Sequence, residues 1–439
     1  MQLIRILGMI VLVLSHHMLN AQTDIKTEDP EIDFLFNYYQ QDGNHSPVTG
    51  GNGTEKLTNI APMFIVNVPF DSINSINLSG GVDYYSSASS NKIDKYISSA
   101  SSKYLSSASS SDIRAHADLA YTRKNLQNKS SATYMGGYSQ EFDVYSANLG
   151  YSWAKTSADE NREFSAKYQM YYDIWKIIIP AEFRDHSKEK FRNYPMHLGN
   201  DENDYALDKR ISNNISLVYS QVLSQRLQFA VSSDFVYQKG LLYTPFQRVF
   251  FDDGQDNDTV KFWNSAVDVE NLPDSRFKIP VGIRISYFPS DMLVIRFYYR
   301  YYYDDFGITS HTFNLETPIK VNPFFSVYPF VRYYTQTASR YFYPYGTLKV
   351  KEMNVYPLVP VEKYYTSDYD LSEFVNWKLG LGLRYSPVYG LARAKVPYLP
   401  KWMIKFKSLD LRFFNYNRSD GFSAWAATID CGFVLERKR

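Results

Sequence analysis

Hydrophobic and polar residues alternate with a period of two along most of this chain. The clearest run lies between Phe277 and Asp304. Ile279, Val281, Ile283, Ile285 and Tyr287 fall on one face, and Pro280, Gly282, Arg284 and Ser286 on the other. Pro289-Ser290-Asp291 makes a turn. Beyond it Leu293, Ile295, Phe297, Tyr299, Tyr301 and Tyr303 share one face, and Arg296, Arg300 and Asp304 the opposite one. Side chains of a strand point alternately to its two faces, so this pattern predicts a hairpin with an apolar and a polar side. Each arm is about eleven residues, the length a tilted strand needs to cross a bilayer. Tyrosines gather toward one end, where an aromatic girdle would meet a membrane interface.

The same period recurs from end to end. Strands are predicted over 31–40, 58–68, 74–85, 112–123, 130–139, 143–155, from 164 toward 179, on either side of Ser224-Gln225, along both arms of the hairpin, and over 309–317, 324–336, 376–386, 408–416 and 423–435. Tight turns follow strands two, eight, ten and twelve, and long loops follow strands one, three, seven, nine and thirteen. This predicts an all-β fold: a transmembrane antiparallel up-and-down β-barrel of about sixteen strands (14–18), with short periplasmic turns and long extracellular loops. A soluble sandwich or propeller would leave the Tyr-rich strand ends and the loop alternation unexplained.

Composition sharpens this picture. The chain of 439 residues holds 39 Tyr and 29 Phe, yet its mean hydropathy is −0.37, which suits alternating strands better than a soluble core. The net charge of +1 gives no overall field for nucleic acid, and the single cysteine, Cys431, excludes an internal disulfide. Arg5, the apolar run from Ile6 to Leu14 and a cleavage point after Ala21 read as a signal peptide over 1–21. A short periplasmic segment over 22–30 and the barrel over 31–439 would follow, with no plug domain between them. After the signal no apolar run of membrane-spanning length appears, and the only other structure that satisfies every backbone group in lipid is a closed barrel.

Several stretches carry a family likeness: Asn37-Tyr38-Tyr39 through Gly53-Thr54-Glu55-Lys56-Leu57, the Ser-Ser-Ala-Ser-Ser elements beginning at Ser86, Ser98 and Ser106, Tyr243-Thr244-Pro245-Phe246, Leu272-Pro273-Asp274-Ser275-Arg276, and Tyr364 through Ser372. With these the chain resembles a domain-of-unknown-function family of Gram-negative outer-membrane barrels, over nearly all of its length after the signal. The resemblance implies the bacterial cell outer membrane and an association with small lipoproteins and flavin-transferring proteins of the envelope. It supplies no catalytic residue.

A lumen of this size should be polar. On strands ten to sixteen the inward positions include Arg284, Arg296, Arg300, Arg332, Lys378, Arg384 and Arg412, against Asp304, Glu316, Asp410 and Asp430. Such charges either pair across strands and stiffen the wall or form an anion-favouring constriction; we favour pairing. Arg114, His116 and Asp118 share another inward face, read as a polar network rather than an acid–base device. His311 falls outward with no Ser or Asp partner. Acidic loops at 201–204 and 252–258 lack EF-hand spacing and read as solvated surface, and Gly50-Gly51-Asn52-Gly53-Thr54 reads as a flexible turn.

The expected function is a pore or conduit for small solutes. The alternatives are a barrel that scaffolds a periplasmic or lipoprotein partner, a redox one included, and an outer-membrane hydrolase. The expectation is a monomer in contact with outer-membrane lipids, with no enzymatic activity, cofactor or metal.

Overall fold

The computed structural model describes residues 28–86, 111–178, 206–252, 267–351, 359–387, 393–396 and 399–437. The signal segment, the Ser-Ser-Ala-Ser-Ser elements apart from Ser86, and all but Asp252 of the two acidic loops lie outside the described residues.

The chain runs through β1 (Glu31–Asp42), β2 (Leu57–Pro69), β3 (Asn74–Ser86), β4 (Ser111–Asn125), β5 (Ser130–Gln140), β6 (Val144–Thr156), β7 (Arg162–Lys176), β8 (Leu207–Ser224) and β9 (Leu227–Gly240). It continues through β10 (Ser275–Ser290), β11 (Leu293–Asp304), β12 (Thr309–Glu316, prolonged by Ile319–Lys320), β13 (Phe325–Gln336), β14 (Phe374–Tyr385, with Arg393–Val396 beyond a break), β15 (Leu399–Arg418) and β16 (Ser423–Arg437). The large sheet has eighteen segments, two of which prolong a neighbour, so sixteen strands circle the barrel. Each pairs antiparallel with the next, and β1 pairs with β16 from Glu31↔Val434 to Asp42↔Ser423. The sheet is closed and antiparallel, as the alternation predicts.

Register fixes the faces. In the β10–β11 hairpin Ile283 sits opposite Tyr299 and Ile285 opposite Phe297, while Arg284 faces Tyr298. The odd set points away from the barrel: Val281, Ile283, Ile285, Tyr287, Phe297, Tyr301 and Tyr303 are all exposed. So are Leu149 at 64% and Leu379 at 59%. An apolar belt around the whole circumference far exceeds the few hundred Å² that a soluble monomer leaves bare. Near the loop end an outward aromatic row crosses four strands: Tyr299–Phe313 at 5.0 Å, Phe313–Tyr333 at 6.3 Å and Tyr333–Trp377 at 4.6 Å. His311 belongs to this row, its Nδ1 2.9 Å from the Tyr299 hydroxyl. On β14, Trp377 and Tyr385 bracket the outward leucines Leu379, Leu381 and Leu383.

β1 begins and β16 ends on the rim that carries the tight turns at 70–73, 126–129, 157–161, 225–226, 291–292 and 321–324. The opposite rim carries the long connections at 43–56, 241–274 and 337–373, together with three short ones at 141–143, 305–308 and 419–422. Two boundaries differ from the predicted ones. The strand predicted over 408–416 runs from Leu399 to Arg418, because its first residues pair back onto Arg393–Val396 instead of lying in a loop. The alternation of Trp402, Ile404 and Phe406 resumes that of Leu409, Leu411 and Phe413 after a bulge between Phe406 and Ser408. At the other end of the loop after β9, β10 begins at Ser275, so Arg276 stands on a strand instead of in a loop.

If lipid covers the belt, Leu381→Arg should lower the stability of the barrel refolded into lipid vesicles by about 2–4 kcal/mol. The inward Ser146→Arg, opposite Asp173, should leave it nearly unchanged. Urea titration followed by the heat-dependent gel mobility of the folded form reads both.

Candidate functional site: a two-sided lumen under a roof of loops

The two halves of the lumen differ. On β5 and β6 the inward residues are mainly small and polar: Ser131, Thr133, Gly137 and Ser139, then Ser146, Asn148, Gly150 and Ser152. Across β10 to β16 they are large, aromatic and cationic. Register orders this second wall in rows. Just below the rim residues Tyr302, Ser310 and Gln336 run Arg300, Thr312, Tyr334, Asn376 and Arg418. Below them come Arg284, Tyr298, Asn314, Arg332, Lys378 and Tyr416. Next are Arg296, Glu316, Phe330, Gly380 and Phe414, then Tyr328, Gly382 and Arg412, and last Ser326, Arg384, Asp410 and Asp430.

Glycines let the aromatic rings lie flat on this wall. A Cβ on Gly380 would come within 2.2 Å of the Phe330 ring, and one on Gly382 within 1.8 Å of Tyr328. The rings therefore cover the neighbouring strand where a side chain would otherwise stand. Lying across Gly382, Tyr328 donates its hydroxyl to Asp410 at 2.6 Å, and Arg412 stacks 4.9 Å from its ring centre.

The predicted lumenal residues divide into two groups. Toward the terminal rim they pair: Arg296 with Glu316 at 2.9 Å and Arg384 with Asp410 at 3.7 Å. Arg300, Arg332 and Lys378, higher up, and Arg412, between the two pairs, make no ion pair among the described residues. Lys378 sits 3.4 Å from the Phe414 ring centre, and the Nε atoms of Arg300 and Arg332 are buried without a hydrogen-bond partner. Arg284 lies 5.6 Å from the Tyr298 ring centre.

Asp304 does not line the open lumen. It is fully buried at the loop rim, accepting from Arg276 Nε at 3.0 Å, the Tyr302 hydroxyl at 2.7 Å and the Ile308 amide at 3.0 Å. The 305–308 turn and Arg276 cover it. Across the lumen, His116 has its Nδ1 3.8 Å from Asp83, beyond hydrogen-bond reach, with Ser139 opposite it on β5. Asp118 accepts instead from Asn148 at 3.0 Å, and Arg114 is exposed opposite Asp83. No hydrogen bond joins Arg114, His116 and Asp118 to one another among the described residues.

Three loops interlock over the mouth. A short sheet joins Arg248–Asp252, Val267–Val269 and Leu348–Lys349, burying Val249, Phe251, Leu348 and Tyr365 together. Arg248 donates to the Val48 carbonyl at 2.8 Å, and His45 stacks on Tyr369 at 3.8 Å. Gly50 and Gly51 take φ of 75° and 83°. A Cβ on the first would meet the Phe250 ring at 2.4 Å, and one on the second the Ser367 carbonyl at 2.9 Å. The glycine-rich stretch is therefore a packed junction rather than a flexible turn. The roof rests on inward residues of the rim: Gln336 donates to the carbonyls of Asp370 and Ser372, and Arg418 holds Asp370, Asp420 and the Tyr369 carbonyl. A cavity of about 620 Å³ lies beneath, with Arg332, Lys378, Phe414 and Tyr416 on its wall and Val48, Gln247 and Asp368 above. Another of about 740 Å³ opens toward the terminal rim beside Arg296, Glu316, Arg384 and Asp410.

Arg276 and Arg418 fall outside the predicted lumenal set. Arg276 lay in the long loop predicted up to it, though it keeps the period of Lys278, and Arg418 lay beyond the predicted strand end at 416. Within the roof Glu270 is almost fully buried. Its carboxylate accepts from the Thr244 amide at 2.7 Å, and burial, with the charge of Asp368 adding to it, pushes its pKa up to about 8. Burial raises Asp368 as well, with Asp370 next to it.

A carboxyl held above its unfolded value favours the folded roof when protonated. That contribution is complete below the usual glutamic acid range and lost as pH rises through about 8. Protease nicking of the loops at 241–274 and 337–373 should therefore speed up between pH 6 and pH 9, and Glu270→Gln should flatten the profile. Gly51→Val should loosen the roof at every pH, raising the nicking rate several-fold while the barrel keeps its heat-dependent gel mobility.

No curated protein matches the chain. Among solved structures it is similar to a bacterial polysaccharide outer membrane secretin, with 9% identity over 93% of this chain and 99% of that one and a TM-score of 0.43. It is also similar to the siderophore receptor PirA from Pseudomonas aeruginosa, with 8% identity, 94% and 81% coverage and a TM-score of 0.38. The outer membrane protein opdK from Pseudomonas aeruginosa gives 7% identity, 92% and 98% coverage and a TM-score of 0.38. Likenesses this distant bear on no functional point. The model of a family described as protein of unknown function (DUF3570) matches residues 6–391, most of the sequence, and the chain belongs to that family.

Proposed function

We propose that the protein is a monomeric barrel of the Gram-negative outer membrane that conducts small hydrophilic solutes. The observation that carries this reading is the lumen. Its inward positions are small and polar on β5 and β6 and aromatic and cationic across β10 to β16, and it holds one cavity beneath the roof and another open toward the terminal rim. Sixteen strands enclose a bore wide enough for water at the scale of porins. The start of β1 and the end of β16 share the rim of tight turns, which supports reading that rim as periplasmic and the roof as exterior. No step of the reading calls for covalent chemistry.

A second reading draws on the roof itself. Loops that interlock by sheet pairing and ring stacking favour a closed mouth, and a barrel closed outside but open inside suits a scaffold for a periplasmic or lipoprotein partner. Purified protein in planar bilayers separates the two. The conduit should give discrete current steps, with larger or more frequent openings in Gly51→Val. Folded protein that leaves the membrane silent in both forms, while a periplasmic partner co-purifies from native membranes, would replace the first reading with the second.

A further inference from the structure

The charges of the cationic wall are not arranged as pairing would arrange them. Arg332 on β13 and Lys378 on β14 are direct cross-strand partners, two positive side chains on one inward face. Like charges directly opposite each other destabilise a sheet. The charged groups that act on Lys378 are Arg332 and Arg412, and the cation that acts on Arg332 is Arg300; neither has a carboxylate among them. Within the same wall Arg296 and Arg384 do have carboxylates within reach. The chain therefore places acids where it neutralises cations and withholds them here. The roof carboxylates Asp368, Asp370 and Glu55 also line this cavity, but each is engaged away from the two cations, by the Asp370 amide, by Arg418 and by the His45 amide respectively.

The unpaired groups face a defined space. Arg332 and Lys378 both line the 620 Å³ cavity beneath the roof. Phe414 supports the Lys378 ammonium from behind, and the Arg332 Nε is buried with no acceptor. A guanidinium offers paired donors that match the two oxygens of a carboxylate or phosphoryl group, and an ammonium adds a point charge. In a site partly shielded from water such contacts gain strength, and rings of Arg and Lys set anion preference in pores.

We propose that Arg332 and Lys378, backed by Arg300, form a binding station for a small oxyanion, a carboxylate or phosphoryl group, in the upper lumen. This names the solute class of the conduit and rests on that reading for its purpose, though the site can be tested without any current. The probes are inorganic phosphate and succinate, titrated by calorimetry into the folded barrel in a zwitterionic detergent. At least one should bind the wild-type protein and raise its thermal midpoint. The double variant Arg332→Gln/Lys378→Gln should bind at least ten-fold more weakly, whereas Arg296→Gln, beside Glu316, should bind as the wild type does. If the double variant fails to fold, Lys378→Gln alone serves, with a smaller loss in the same direction. Wild-type protein that binds neither probe, or variants that bind both unchanged, would overturn the station. A barrel that binds without conducting overturns only the conduit, and one that conducts cations without binding either probe overturns only the station.

Discussion

Closure of the backbone ladder is the constraint on which everything else depends. A peptide group left unpaired in hydrocarbon costs several kcal/mol, and an open sheet would present two full edges of them. The register from Glu31↔Val434 to Asp42↔Ser423 removes both edges at once. Once the ring is closed, the period of two has only one consistent meaning: one set of side chains meets the outside and the other the lumen. Every later feature is built on that division, from the aromatic row at Tyr299, Phe313, Tyr333 and Trp377 to the cationic wall behind it.

Inside, the protein solves a filling problem unevenly. Small residues on β5 and β6 leave room, while β10 to β16 narrow the bore with rings and long cations. Gly380 and Gly382 are the means. Without a Cβ at these positions Phe330 and Tyr328 fold down onto the wall instead of standing across the lumen, and Tyr328 can reach Asp410. The bulky side thus stays close to its strands, and Lys378 and Arg412 present their charges over aromatic faces rather than into opposing carboxylates, with Arg332 beside Lys378.

The roof is a second small core, separate from the barrel wall. Val249, Phe251, Leu348 and Tyr365 bury one another through a sheet whose strands come from two different loops, and the first loop is pinned to it through Gly50, Gly51 and His45. Its buried carboxyl at Glu270 ties the packing of that core to proton concentration. The coupling is confined to the loops, because the barrel beneath is held by its own ladder.

The sequence by itself determined the architecture, since alternation is local and each strand records its own two faces. The hairpin at 277–304, the outward Trp377, Leu379 and Leu381, and the inward Arg284, Arg296, Arg332 and Lys378 were all legible from spacing. Strand limits were least legible where proline or polar residues interrupt the period, as at Leu399–Arg418 and Arg276. Which charges pair was not legible at all. Arg296 and Arg332 look alike in sequence, and only cross-strand register sets one beside Glu316 and the other beside Lys378. The same holds for Asp304, which shares the lumenal period but is sealed by a turn and an arginine. It holds too for the glycine-rich stretch, whose role as the junction of three loops depends on residues some two hundred positions away. Local periodicity encodes the direction of a side chain; what that side chain meets is decided by which strands and loops the closed barrel brings together.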